Sequence, residues 1–424
     1  MYERLQRLED AERLWRRCLE GHERSLEADD AALLGCLEGL ASVLSDLERP
    51  EEAEPLYRRA LRALEDELGS DHPDTMQCRF DLAGCLGDLE RYDEAIELRQ
   101  VELAWCRQEN GDRDRGTLAS ISALADDLQA SGDPEAAEPL YRECLAGRIE
   151  TLGDEHPDTM ASRYDLANCL SSLGRYEEAI ELRRIELAWC QKEKGAEHPD
   201  TLTSLGVLAR DLSWTDEVEE AETLYRQALT QTIQNLGEGH AETMGLRHGL
   251  ARTLSAQERY DEAIELRLIE VAWHREALGD RDPINLTSIR ALASDLEDNG
   301  DPEAAEPLYR ECLTGRTETL GDEDPATMAS RYDLADCLTA LELYDESIEL
   351  RRIELAWCQR ERGVDDPGTL LSQKALGVDL LHAGQPEAGL DLLQDCLTRQ
   401  QRVLGPTDDS TLGTAARVLD ALSS

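Results

Sequence analysis

The sequence predicts an all-α repeat protein built from antiparallel helical hairpins, and three observations lead to that prediction. The turn at residues 68–73, Leu-Gly-Ser-Asp-His-Pro, returns in related form every 42 residues without insertion or deletion. Leucines recur at two fixed phases of the repeat. Only 4% of the residues are aromatic, and a core of Leu and Ala is typical of closely packed helices rather than sheets. An exact internal period of this length indicates a solenoid in which each unit stacks on the next.

Each repeat divides into two helices joined by a tight break. In the first helix, two leucines four residues apart flank a small residue, and this spacing places all three on one stripe of the helix. The first leucines of the stripe are Leu82, Leu124, Leu166, Leu208, Leu250, Leu292, Leu334 and Leu376. The second helix carries a small residue at a fixed phase, at Ala95, Ala137, Ala179, Ala221, Ala263 and Ala305. The repeat is therefore interpreted as a helical hairpin.

Proline and glycine mark the ends of the predicted helices. Proline falls at the first position of most first helices, and glycine falls just after most second helices, where each residue is favoured. The residue before the proline is histidine at positions 72, 156 and 198 and aspartate at 282, 324 and 366. These two residues exchange more readily at an N-cap than at a metal site, and no fixed Cys or His partner accompanies the histidines. We therefore interpret them as helix caps.

The residues at 152–159 (Leu-Gly-Asp-Glu-His-Pro-Asp-Thr) and at 166–179 resemble the tetratricopeptide repeat in its 42-residue form, which occurs in kinesin light chains and in many bacterial regulatory proteins. The resemblance covers nearly the whole chain and implies a right-handed α-solenoid. We expect one solenoid over residues 1–424, with a lone N-terminal helix in 1–27, nine hairpins over 33–404 and a C-terminal capping helix over 410–424. The leading half-unit indicates either an unusual cap or a chain cut from a longer array.

Adjacent units differ in a regular way, so the deeper period is 84 residues. Tryptophan recurs in alternate units, at Trp105, Trp189, Trp273 and Trp357. In these units the first helix carries an arginine in its core stripe, and the second helix carries an arginine followed three residues later by a glutamate. Because the two helices run antiparallel, we predict semi-buried ion pairs that fix the stacking order. The predicted pairs are Arg79 with Glu102, Arg163 with Glu186, Arg247 with Glu270, and Arg331 with Glu354. Aspartates at 127, 211, 295 and 379 recur in the other units without an evident partner.

The twelve cysteines do not form a disulfide or metal pattern. Several share a repeat phase with Ser or Thr in other units, and no CxxC pair is present. This exchange predicts small packing residues, so we expect free buried thiols in a reducing compartment, with no metal and no cofactor. The tryptophans are open to two interpretations: a core contact with Gly147 or Gly315 of a neighbouring unit, or a platform for a ligand.

Charge and missing motifs disfavour several functions. The 92 acidic residues against 44 basic ones leave a net charge of -48, which disfavours binding to nucleic acid and to anionic membranes. No apolar run is long enough to span a bilayer. Phosphate-binding loops, zinc-protease motifs and nucleophile elbows are absent from the sequence, so we expect no enzyme. The charge is spread over all units, which favours a solvated surface and is compatible with a basic partner.

The exposed face of each first helix is the best candidate for a binding surface. In the tetratricopeptide repeat family this face lines a concave groove that holds peptides or partner helices. We expect an aromatic row flanked by cations there. The candidate residues are Phe80, Tyr164, Asn168, Arg210, His248, Arg252, Arg290, Tyr332 and Lys374. The same residues are compatible with an ordinary solvated surface.

These observations predict a scaffold that binds a protein or peptide, as an extended segment or a helix, in the cytoplasm of a bacterium. Two alternatives are left open. One is a regulatory or sensor arm of a larger signalling protein that also carries an NTPase or protease domain. The other is a self-assembling structural protein. The sequence defines neither the partner nor the oligomeric state.

Overall fold

The computed structural model describes residues 2–23 and 30–423, which form twenty helices and contain no strand. The predicted all-α fold is therefore confirmed. The lone N-terminal helix is present at Tyr2–Glu23, and the C-terminal helix at Asp409–Ser423. Residues 24–27 of the predicted N-terminal element lie outside the described residues.

The chain divides into two compact units, residues 1–216 and residues 217–424, and each unit is described by itself. In the first unit each helix packs on the next one in the chain. Its helices are α1 (Tyr2–Glu23), α2 (Asp30–Asp46), α3 (Pro50–Glu67), α4 (Pro73–Asp88), α5 (Tyr92–Asn110), α6 (Arg115–Ala130), α7 (Pro134–Leu152), α8 (Pro157–Ser172), α9 (Tyr176–Glu193) and α10 (Pro199–Leu212).

The second unit has the same organisation, with each helix packed on the next. Its helices are α11 (Val218–Leu236), α12 (Ala241–Ala256), α13 (Tyr260–Leu278), α14 (Pro283–Asp298), α15 (Pro302–Leu320), α16 (Pro325–Ala340), α17 (Tyr344–Glu361), α18 (Pro367–His382), α19 (Pro386–Val403) and α20 (Asp409–Ser423). Eight of the predicted hairpins lie within one unit or the other. The prediction of a single solenoid over the whole chain stays a prediction.

The predicted helix caps are confirmed. Nδ1 of His156 accepts a hydrogen bond from the backbone N–H of Asp158 at 3.1 Å, and the carboxylate of Asp282 accepts one from Ile284 at 2.8 Å. An extended cap residue followed by proline starts both helices. Gly153 ends α7 with a φ of 91°, a backbone conformation that other residues rarely adopt. The histidines before proline therefore have a structural role.

The leucine and alanine stripe forms the core of each unit. Leu82, Ala83 and Leu86 on α4 are almost fully buried, and Ala95 on α5 packs into the same cluster. The equivalent residues of the second unit are buried in the same way. Burial of each leucine side chain contributes about 1.5–3 kcal/mol, so this repeated stripe is the main source of stability.

A buried ion pair connects each Trp-bearing hairpin with the helix that follows it. Nε of Arg99 on α5 donates to the carboxylate of Asp127 on α6 at 2.5 Å, and Arg351 on α17 donates to Asp379 on α18 at 2.6 Å. The other two copies are Arg183 with Asp211 and Arg267 with Asp295. Each of these side chains is at most 10% exposed. These pairs supply the partner that the sequence did not reveal for the aspartate series.

The ion pairs predicted within the hairpins are wrong. Each first-helix arginine binds a backbone carbonyl of the loop before its own helix. It also binds an acidic residue of that loop or, for Arg79, of the last turn of the preceding helix. The observed pairs are Arg79 with Glu65, Arg163 with Asp154, Arg247 with Glu238 and Arg331 with Asp322, in place of Glu102, Glu186, Glu270 and Glu354. The physical reason is side-chain direction, because helical side chains lean towards the N-terminus of their own helix and so reach the preceding loop.

Loss of the buried aspartate is expected to destabilise the first unit strongly. Replacing Asp211 with alanine leaves Arg183 charged and buried without its counter-ion, at a cost of about 3–5 kcal/mol in the free energy of unfolding. Urea denaturation followed by circular dichroism measures this change. The matched control is Glu178→Ala, which breaks the exposed pair with Arg142 and is expected to cost less than about 1 kcal/mol. Equal losses for the two variants would contradict the role given to the buried pair.

Candidate functional site

A buried polar triad recurs between each Trp-bearing hairpin and the helix that follows it. It consists of a glutamate, a cysteine or histidine four residues later, and a serine on the next first helix. The four copies are Glu102, Cys106 and Ser120; Glu186, Cys190 and Ser204; Glu270, His274 and Ser288; and Glu354, Cys358 and Ser372. In the second copy, Oε1 of Glu186 accepts hydrogen bonds from Cys190 at 3.0 Å and from Ser204 at 2.9 Å. Neutral groups therefore supply the hydrogen bonds to this carboxylate.

One oxygen of each triad glutamate has no hydrogen-bond partner. The four residues are between 1% and 7% exposed, and Oε2 is unpartnered in all four. The arginine three residues earlier also has an unpartnered Nη1 in every copy. In the second unit, Nη1 of Arg267 lies 3.9 Å from Oε2 of Glu270, which is beyond hydrogen-bond range. Arg267 therefore faces this oxygen as a nearby charge without a hydrogen bond to it.

A pocket lies above the glutamate in three of the copies. In the first unit, the pocket above Glu186 has a volume of about 320 Å³ and walls that include Met160, Tyr164 and Trp189. In the second unit, the pocket above Glu354 has a volume of about 340 Å³ and is lined by the equivalent residues. Both pockets combine apolar walls with an acidic floor.

The tryptophan of these two pockets carries a cation from its own chain. Nζ of Lys194 lies 5.3 Å from the centroid of Trp189, and the guanidinium of Arg362 lies 5.4 Å from that of Trp357. The indole N–H of Trp189 donates to a loop carbonyl at 2.9 Å, which fixes the ring. The expected core contact of tryptophan with Gly147 or Gly315 is wrong, since leucine side chains pack against those glycines. The tryptophans are therefore pocket walls.

The pocket above Glu270 is larger, with a volume of about 650 Å³. Leu278 lies at its rim, at the position that Lys194 and Arg362 occupy in the other copies, so the cation over the indole is replaced by an apolar side chain. His248 takes the place of the tyrosine, and its Nδ1 lies 2.9 Å from Oε1 of Glu270. This pocket is the largest and the most apolar of the three.

Glu270 is held in its ionised form. Burial opposes the charge and raises its pKa, but the hydrogen bond and charge of His248, the Ser288 hydroxyl and the charge of Arg267 together lower the pKa below its ordinary value. The floor of this pocket is therefore negative at neutral pH.

The predicted aromatic row lies beside the pockets and is half-buried. Three of its members cover the arginines of the buried ion pairs. Phe80 lies 4.8 Å from the guanidinium of Arg99, and Tyr164 lies 5.6 Å from that of Arg183. Tyr332 makes the same contact with Arg351 at 5.5 Å, whereas His248 binds Glu270 instead. The row thus has a structural role in addition to lining the pockets.

The polar residues predicted for the same face are mostly engaged within the chain. The side-chain oxygen of Asn168 accepts a hydrogen bond from Arg183 at 2.9 Å. Arg290 binds Asp333 at 2.5 Å, and Arg210 lies 3.5 Å from Asp211. The remaining two, Arg252 and Lys374, are half-buried. Two of the cations expected beside the aromatic row, Arg210 and Arg290, are therefore largely neutralised by aspartates of the same chain.

Ten cysteines are free and buried, as predicted. Burial raises the pKa of Cys78 to about 12, so its thiol is protonated and unreactive at neutral pH. The prediction is wrong for Cys18 and Cys36, which form a disulfide between α1 and α2. The sequence analysis identifies this helix as a half-unit but places only Cys36, and not Cys18, in a repeat phase, so it does not predict that the two residues meet.

Sequence reasoning also missed the glutamate as a pocket floor. It treated Glu102 and its equivalents only as ion-pair partners, and it treated the serines only as packing residues. The signal was present, because glutamate, cysteine or histidine, and serine all recur with the same 84-residue period.

Within the described residues, the structure has no helix that combines the length and the apolar character needed to cross a membrane.

Stability of the first unit is expected to depend on pH through Asp165 at the rim of the Glu186 pocket. Burial and the nearby Asp126 raise the pKa of Asp165 to about 6, from an ordinary value of 3.8. Ionisation of the folded state therefore costs free energy above pH 6, and this cost vanishes below about pH 4. Asp165→Asn is expected to raise the free energy of unfolding at pH 8 by up to about 3 kcal/mol, with no gain at pH 4.

Urea denaturation of Asp165→Asn and the unmodified chain at both pH values measures this difference. The control is Glu177→Gln, an exposed substitution on α9 that is expected to change stability by less than about 0.5 kcal/mol at either pH. An equal effect of Asp165→Asn at pH 4 and pH 8 would show that the carboxylate is not the cause.

Comparison with known proteins gives matches among solved structures, whereas no curated protein matches at a significant level. TPR-like repeats assigned to a kinesin light chain of Podosopora anserina are 30% identical and cover 49% of this chain and 98% of that one, with a TM-score of 0.45. BtubC (BKLC) from P. vanneervenii is 24% identical over 55% of this chain and 92% of that one, with a TM-score of 0.45. The apo form of RapI is 14% identical and covers 67% of this chain and 98% of that one, with a TM-score of 0.51. This likeness concerns the fold alone.

The family model described as Tetratricopeptide repeat matches most of the sequence. The matched residues are 1–66, 31–108, 82–150, 116–184, 208–268, 241–318, 284–350 and 324–402. These matches agree with the helical hairpins, the capped first helices and the leucine and alanine core of both units. The chain therefore belongs to the tetratricopeptide repeat family.

Proposed function

We propose that this protein is a scaffold that binds an extended peptide or a partner helix along its first helices, and that it anchors basic side chains of the partner in the Trp-bearing pockets. The observation that carries the proposal is the pocket above Glu270. It combines an ionised floor, apolar walls and an indole whose covering cation is replaced by Leu278. Binding to another protein is also the usual role of tetratricopeptide repeats.

Both parts of a lysine or arginine side chain, the aliphatic stem and the charged head, find suitable partners in this pocket. The aliphatic stem packs against apolar groups such as Met244 and Trp273, while the charged head is attracted by Glu270 and by the face of the indole. The chain provides an internal example of this contact, since Lys194 lies over Trp189 in the equivalent pocket. A cation of the partner would take the same place over Trp273.

The charge of the whole chain supports a basic partner. A net charge of -48 attracts basic segments at long range and raises their rate of encounter. This contribution is screened by salt, whereas a contact inside a partly buried pocket is screened less. Long-range attraction alone would not select one partner, so specificity is assigned to the pockets.

Short labelled peptides of leucine and arginine test the proposal by fluorescence polarisation. The comparison peptides carry citrulline in place of arginine, which keeps the shape of the side chain and removes its charge. Glu270→Gln is expected to weaken the arginine peptides about tenfold, equivalent to about 1.4 kcal/mol, and to leave the citrulline peptides unchanged. Leu278→Lys is expected to have a similar effect, because it supplies an internal cation for Trp273.

Two further variants complete the experiment: the first is a control, and the second makes the opposite change in the equivalent pocket. Glu265→Gln removes one charge from an exposed position of the same helix and is expected to change affinity less than about twofold. Lys194→Leu uncovers Trp189 and is expected to strengthen binding of the arginine peptides. Equal binding of arginine and citrulline peptides to the unmodified chain would contradict the proposal, as would equal effects of Glu270→Gln and Glu265→Gln.

A further inference from the structure

We propose that Cys18, His22 and Cys36 form a zinc site in the reduced chain. This site is separate from the pockets and independent of the proposed function. The two sulfur atoms and a ring nitrogen of His22 all lie within 4.8 Å of one another. Cys18 and His22 are one turn apart on α1, and Cys36 lies on α2 with its Cα 6.1 Å from that of Cys18.

The repeat itself explains why these three side chains meet. They lie 84 residues before Glu102, Cys106 and Ser120, and so occupy the positions of the buried triad in the first Trp-type hairpin. In that triad Cys106 lies 2.9 Å from Glu102, and Ser120 lies 2.8 Å from the same oxygen. The fold therefore brings the three positions together in every copy, and only the residues differ.

The replacement changes the chemistry of the triad from a hydrogen-bond network to a set of metal ligands. Two thiolates and one imidazole are typical of zinc sites, with Zn–S distances of about 2.3 Å and Zn–N distances of about 2.0 Å. Soft sulfur ligands disfavour Mg²⁺ and Ca²⁺, which prefer oxygen. Three protein ligands leave one position of a tetrahedral zinc ion for water.

Metal binding and the disulfide exclude each other. Cys18 and Cys36 are bonded in the structure, so the S–S bond must first be reduced. A phosphine supplies the two electrons and is oxidised to its phosphine oxide, while water supplies the oxygen of that product and one proton to each sulfur. Zn²⁺ then forms two Zn–S bonds and one Zn–N bond and displaces both thiol protons. Cys18 and His22 are half-buried, which leaves a path for the ion from solvent.

The test uses the full chain, reduced with a phosphine and freed of metal, and titrated first with Co²⁺ and then with Zn²⁺. We expect one metal per chain and a thiolate-to-cobalt charge-transfer band that Zn²⁺ abolishes. Cys36→Ser and His22→Ala are each expected to weaken binding at least about 100-fold. Serine already occupies the position of Cys36 in the other triads, so this variant is expected to fold, and circular dichroism checks that it does.

The matched control is Cys144→Ser. Cys144 is a buried cysteine at the corresponding position of a second helix, but Arg148 lies one turn later where His22 follows Cys18. This variant is expected to bind metal as the unmodified chain does. The proposal is overturned if the reduced chain binds no stoichiometric metal, if Cys36→Ser binds like the unmodified chain, or if the oxidised chain with its disulfide closed binds equally well.

Discussion

The buried pair between an arginine of one hairpin and an aspartate of the next is the contact on which the alternating architecture depends. An arginine in a helical core is tolerated only where a carboxylate compensates its charge. The arginine and the aspartate must therefore occur in neighbouring hairpins. This requirement makes a pair of hairpins, rather than a single hairpin, the repeated module. The 84-residue period of the sequence thus reflects a contact between adjacent hairpins. Half-buried aromatic residues cover the arginines of this contact.

The same pair creates the acidic floor of the pockets. Because Nε of Arg183 is directed at Asp211, the glutamate three residues later receives hydrogen bonds from Ser204 and Cys190 and not from the guanidinium. Hydroxyl and thiol donors thus satisfy one oxygen of this carboxylate at the base of the pocket. Stacking order and the proposed recognition of basic side chains therefore have one origin, the arginine in the second helix.

The period of the sequence predicted the fold because leucine spacing, helix caps and turns are local properties, and they recur in every repeat. It did not predict the ion-pair partners, since these depend on side-chain direction. Facing positions in a hairpin favoured Arg79 with Glu102, whereas the side chain of Arg79 leans along its own helix and reaches Glu65. The Cys18 disulfide was missed for a different reason: the leading half-unit was recognised, but Cys18 was not placed in a repeat phase.

Differences among the copies within the chain distinguish the pocket above Glu270 from the others. The leucine and alanine positions of the core are nearly the same in every copy, whereas positions at a pocket rim vary. The residue at the position of the covering cation also varies: it is Lys194 and Arg362 in two copies, Leu278 in the third and Asn110 in the copy of Trp105. The copy above Glu270 departs at several lining positions together, at Gly245, His248, His274 and Leu278, and each change enlarges the pocket or alters its polarity. These differences around one retained glutamate support the proposal that this copy binds a partner.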